Sequence, residues 1–171
     1  LPAPAEQVVL ASWGRRAGAW LIDYFIWAIP GFALAIPMMV HMFHYFETHP
    51  GAPPPGVQPD VELIFGSGFA LYQGVGILLT LGQIAYQIVL NGHPRGQTVG
   101  KMAFGIQVRN ASNMDTLGYG RSTARWLVGY ALLLACIVPG IVDLLFPLWD
   151  DKRQTIHDKA AGSLVIRLQR I

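Results

Sequence analysis

One cysteine, Cys136, stands among 171 residues, so no intrachain disulfide can form and no cysteine metal cluster can assemble. Charge is scarce as well: 13% of residues are Asp, Glu, Lys or Arg against 53% hydrophobic, far from the balance of a soluble domain. That composition is a membrane protein's. The formal charge of +2 is too small to draw a nucleic-acid partner, and the length allows one compact domain. No nucleophile with a base, no ligand set for a catalytic metal and no carboxylate pair at catalytic spacing can be read, so neither an enzyme nor a cofactor is expected. The first residue is Leu1 rather than Met, which leads us to expect a natural start that was trimmed or lies upstream.

What is present is long apolar sequence. About 20 apolar residues span a bilayer as a helix, and two stretches exceed this: Ala17 to Phe46, containing Pro30 and Pro37, and Leu63 to Leu90. The second carries Gly66, Gly68, Gly74, Gly76 and Gly82, which let another helix approach closely. Between them Thr48 to Glu62, with five prolines, reads as an extended loop. A third stretch, Trp126 to Trp149, is interrupted by Pro139-Gly140 and contains Asp143.

Charge distribution orients these segments. All 12 Lys and Arg lie before the first span, from Arg95 to Arg125, or from Lys152 to Arg170, and none falls in the Pro-rich loop. The positive-inside rule therefore places the loop outside and both termini in the cytoplasm. One full third crossing would export the basic tail, and 24 residues are too few for two. The expected architecture is an all-α membrane protein with two full transmembrane helices plus a re-entrant helical hairpin turning at Pro139-Gly140; a single third crossing is the alternative. Ala103 to Arg109 and Gly162 to Arg167 have short β patterns with Gly or Asn near their ends, and can pair as a small cytoplasmic ribbon.

Asp23 lies inside the first span. An unpaired charge there costs at least ~2.5 kcal/mol on insertion scales and should face the protein interior. Arg16, seven residues earlier, shares its helix face at about 10 Å without touching it. Candidate partners are Arg125, Arg121, Lys101 and the His157-Asp158 pair. Asp143 is a second acid at membrane depth, but no polar ladder along Leu63 to Leu90 offers a continuous ion path.

Arg16-Ala-Gly-Ala-Trp-Leu-Ile-Asp23 resembles the opening signature of the RDD family of bacterial membrane proteins, which is named for one arginine and two aspartates. The segment Arg95-Gly-Gln-Thr-Val-Gly-Lys-Met-Ala-Phe-Gly-Ile-Gln-Val108 is similar to the family's central element. Arg153-Gln-Thr-Ile-His-Asp-Lys-Ala-Ala-Gly-Ser-Leu-Val165 is similar to its closing one. The resemblance covers residues 12–168, leaving 1–11 as an N-terminal tail and 169–171 as the end. It implies that the arginine is Arg16 and the aspartates are Asp23 and Asp158, in a multi-spanning protein of the bacterial inner membrane. Ser163 stands where Thr is common and keeps the hydroxyl. Cation/proton exchange has been proposed for some family members.

Other motifs are weaker. Gly96-Gln-Thr-Val-Gly-Lys101 has one residue too few between its glycines for a phosphate loop, and Met102 replaces the magnesium-binding hydroxyl, so the glycines are assigned to a tight turn. Met38, His41, Met42 and His44 offer soft and imidazole ligands that suit copper, although such residues are also ordinary at a membrane boundary. His157 beside Asp158 is assigned to a conformation-fixing network. Trp13, Trp20, Trp126 and Trp149 suit interfacial anchoring, and the basic clusters Arg121 to Arg125 and Lys152-Arg153 suit anionic lipid. The favoured expectation is a non-enzymatic component of a larger membrane assembly. It would contact lipids and other subunits or further copies of itself, with a structural polar network of Arg16, Asp23, Asp143, His157 and Asp158. The alternative is a monovalent cation/proton antiporter using Asp23 and Asp143.

Overall fold

The computed structural model describes residues 8–51, 60, 64–66 and 68–168. Most of the Pro-rich loop, the first seven residues and residues 169–171 lie outside these. The chain divides into two compact units, Leu1–Tyr24 with Ile84–Ile171, and Phe25–Gln83.

Among the described residues two helices are long and apolar enough to cross a membrane, α1 (Trp13–Thr48) and α2 (Phe69–Gly92). At 1.5 Å per residue they run about 54 and 36 Å, against a hydrocarbon core of about 30 Å. Pro30 and Pro37 sit inside α1 without ending it, although each removes one backbone donor. Within the second unit, Gly82 lies under Trp27, whose ring stands 3.0 Å from where a Cβ would be, and Gly66 lies under the His41 imidazole. Gly74 and Gly76 have nothing within 4 Å, so two of the five glycines read as packing sites face open space.

The first unit is built around a small sheet. β1 (Ile106–Asn110) and β2 (Ser163–Arg167) pair antiparallel, with Val108 opposite Val165. Residues 9–11, expected as tail, add to the outer edge of β2: Leu10 bridges Ile166, Ala11 N donates to Val165 O and Arg167 N donates to Val9 O. The free edge of β1 is covered by Gly96 and Gln97. Val108 N donates to Gly96 O at 2.8 Å, and a Cβ at Gly96 would lie 2.3 Å from Val108 O. Only glycine fits there, where φ is also +61°. Alternation along β1 turns Ile106 and Val108 into a core with Ala11, Ala19, Leu117 and Val165, against which Phe104 packs.

α3 (Val99–Ala103) precedes β1, and between the strands the chain forms α4 (Tyr119–Ala135), α5 (Ile137–Leu145), a 3₁₀ turn (Phe146–Leu148) and α6 (Ile156–Ala161). The third apolar stretch is thus a helical hairpin, but it breaks at Cys136 and not at Pro139-Gly140. Cys136 is extended (φ −174°, ψ 157°), whereas Pro139 sits in the first turn of α5, where its missing N–H would have no partner anyway. Gly140 instead permits contact: a Cβ there would meet Leu133 Cδ1 at 3.2 Å.

Candidate functional site: a buried polar network

Asp23 is buried on α1 and holds three donors from two other segments. Its Oδ1 accepts from the Tyr86 hydroxyl at 2.7 Å and from Gly100 N at 2.8 Å; its Oδ2 accepts from Thr98 Oγ1 at 2.5 Å. Tyr86 also accepts from Val99 N at 2.8 Å, tying α2 to α3. None of the expected cationic partners hydrogen-bonds to Asp23, which corrects that part of the sequence reading. Neutral donors suffice because two hydroxyls and a backbone N–H at the start of α3 converge on it. Their approach requires glycine: a Cβ on Gly100 would stand 2.0 Å from Ala19 O and 3.0 Å from Asp23 Cγ. This glycine therefore permits helix contact, where a tight turn was expected.

Lys101, next in sequence, donates to Asn91 Oδ1, and Asn91 is buried and anchored to Gln87 O at 2.7 Å. Burial pushes the Lys101 ammonium well below its ordinary range, and Arg125 adds repulsion; Asp23 and Asp158 act in the opposite direction.

Asp158 is fully buried on α6 and is held by charged partners. Oδ1 accepts from Arg125 Nε at 2.7 Å and Ser163 Oγ at 3.0 Å; Oδ2 accepts from Arg16 Nη1 at 2.7 Å and Thr155 N at 3.2 Å. A carboxylate offers about four lone-pair sites, and all are taken. Thr155 and Asp158 form a reciprocal capping box at the start of α6. Burial alone would raise the Asp158 pKa, but Arg125, His157 and Arg16 outweigh it and hold the carboxyl well below the usual carboxylate range. The hydroxyl kept at Ser163 is used directly.

Asp143, on α5, meets α6: His157 N donates to its Oδ1 at 3.0 Å and His157 Nδ1 lies 2.6 Å from its Oδ2. The other ring nitrogen, Nε2, is 3.9 Å from Asp158 Oδ1. The Trp13 indole donates to Leu144 O at 3.0 Å, joining the start of α1 to the same hairpin. All five residues expected in a polar network thus lie in the first unit. Arg16, Asp143, His157 and Asp158 are linked around α6, and Asp23 forms a separate node. Sequence reasoning missed Tyr86, Thr98, Gly100 and Asn91. The Thr155-x-x-Asp158 spacing was a legible cap signal. On α1, Met38, His41 and Met42 share a face, and no group of three or more His, Cys, Asp or Glu side chains suited to a metal ion gathers among the described residues.

Two apolar helices of spanning length, together with a buried ionic network beneath a short helical hairpin, define a helical membrane protein. The chain belongs to the RDD family, whose family model matches residues 10–162. It is similar to the proline-rich antigen homolog of Mycobacterium tuberculosis, 34% identical over 92 residues, which are 52% of this chain and 37% of that one. It is also similar to the proline-rich antigen of Mycobacterium leprae, 32% identical over 93 residues, or 50% of this chain and 36% of that one. The matched stretch is little more than a third of those relatives' length. No solved structure matches the chain.

Proposed function

We propose that the chain is a non-enzymatic protein of the bacterial inner membrane, acting as an accessory or structural component of a larger assembly. The observation that carries this reading is that its two most deeply buried carboxylates are engaged by donors of the protein itself. A transported cation needs free lone pairs, whereas Asp158 already has four donors and Asp23 three, all from the protein. Such an arrangement fixes helices in place. Membrane lipids, and other subunits or further copies of this chain, are its partners in this reading.

The same reading sets the topology. Residues 9–11, 96–97, 105–110 and 163–168 share one hydrogen-bonded layer, so they lie on one side of the membrane. α1 then leaves that side and α2 returns to it. The α4–α5 hairpin, about 25 Å and 14 Å long in its two arms, enters and re-emerges on the same side. Basic residues cluster there, which supports a cytoplasmic assignment for that side and for both termini.

Antiport is the second reading, favoured by the Asp143–His157 contact of 2.6 Å, in which a titratable ring still has a fifth of its surface exposed. Reconstitution into liposomes separates the two. We expect no Na⁺ or K⁺ flux against protons, together with co-purification of a stable larger complex. Flux that Asp23→Asn abolishes would reverse the choice.

A further inference from the structure

Arg16 uses only part of its guanidinium. Nη1 donates to Asp158, but Nε and Nη2, both buried, have no hydrogen-bond partner among the described residues. These two nitrogens form one edge of the planar group, the fork that takes a carboxylate or phosphate by two parallel N–H bonds. None of the carboxylates of the network is hydrogen-bonded to it. The four sites of Asp158 are filled, both oxygens of Asp143 are engaged by His157, and Asp23 is held by its own three donors.

The surroundings carry excess positive charge. Arg125 shares Asp158 with Arg16, and Arg153 lies within electrostatic range of Arg16. Arg153 is exposed and held at φ +49°, a left-handed conformation that favours glycine or asparagine, in a turn closed by its own N–H to Asp150 O at 2.8 Å. An exposed arginine in a left-handed conformation, within electrostatic range of a buried and unserved arginine edge, points to a ligand. Depth supplies the source: Arg16 follows Trp13 by three residues at the start of α1, and Trp149, four residues before Arg153, is exposed, as befits an interfacial ring.

We infer that the Nε–Nη2 edge of Arg16, with Arg153 adding positive charge, receives the phosphate of an anionic lipid headgroup at the cytoplasmic membrane surface. The inference rests on the membrane topology proposed above. Both Arg16 nitrogens are shielded from solvent, so the headgroup reaches them only when the surrounding side chains move aside.

The test is native mass spectrometry of the full chain in mild detergent, offered equal amounts of phosphatidylglycerol and phosphatidylcholine. We expect preferential retention of one phosphatidylglycerol, reduced about fivefold by Arg153→Gln and unchanged by Lys152→Gln, the adjacent exposed cation. Arg16→Lys keeps the charge but removes the fork, and should also lose the preference. Should that variant fail to fold, the Arg153 comparison decides alone. Equal retention of the two lipids, equal loss in the Arg153 and Lys152 variants, or saturation of the site by inorganic phosphate alone would overturn the inference. Release of the chain from native membranes by alkaline carbonate would instead defeat the membrane reading itself.

Discussion

Asp23 and Asp158 are both buried and both anchor distant segments, yet they are held by different chemistry. Around Asp158 the partners are two guanidiniums, a hydroxyl and a backbone N–H; around Asp23 they are two hydroxyls and a backbone N–H, with no cation bonded. Removing one member of a buried ion cluster strands the others, because their charges remain without solvent. Removing a carboxylate from neutral donors strands only hydroxyls and an amide. The first site should therefore be brittle and the second forgiving.

The sharpest way to break this contrast is Asp158→Ala, which leaves Arg16 and Arg125 facing each other. We expect a loss of about 3–5 kcal/mol, read as thermal unfolding in detergent. A loss near that of the Asp23 variant would erase the distinction. Gly100→Ala comes next, because its methyl group would stand 2.0 Å from Ala19 O and must push α3 off α1. Overpacking of this kind costs about 1–3 kcal/mol, and an unchanged midpoint would mean that the close approach is not required.

Asp23→Asn is the forgiving case. The amide keeps one acceptor oxygen and size, so the expected loss is about 1–2 kcal/mol, and a loss above that of Asp158→Ala would invert the comparison. Acid sharpens it further. Because the folded Asp158 pKa is depressed, its stabilisation is fully present above the unfolded carboxyl value of about 3.9 and lost as pH falls from there toward the folded value. An acid titration of stability should steepen below that pH in the wild type and flatten in Asp158→Asn. Smallest of all is Lys159→Ala, which removes an exposed pair with Asp150 at 2.5 Å and a contact with the Phe146 ring. We expect a change within about 1 kcal/mol, and a larger one would assign that surface pair to the network.

Much of this architecture was legible because bulk properties encode it. Apolar length gave α1 and α2, and the interruption of the third apolar stretch led to its reading as a helical hairpin. Short β patterns marked the ribbon. The partners of Asp23 were harder, since a search for counter-charge overlooks the hydroxyls of Tyr86 and Thr98 and cannot see the N–H of Gly100. The hairpin break was misassigned for a related reason. Proline disrupts a helix interior but not its first turn, so Pro139 marks where α5 begins, one short step after the extended Cys136. The role of Arg16 came from its family resemblance, and its contact with Asp158, 142 residues away, has no local sequence signal.

The pairing of Leu10 with Ile166 also bears on how the protein is made. Leu10 finds its hydrogen-bonding mate only after every residue between the two has been synthesised. During synthesis the start of α1 must therefore wait, unfastened, until β2 arrives to close the seam. A nascent chain halted before that strand would expose an unzipped entrance to α1.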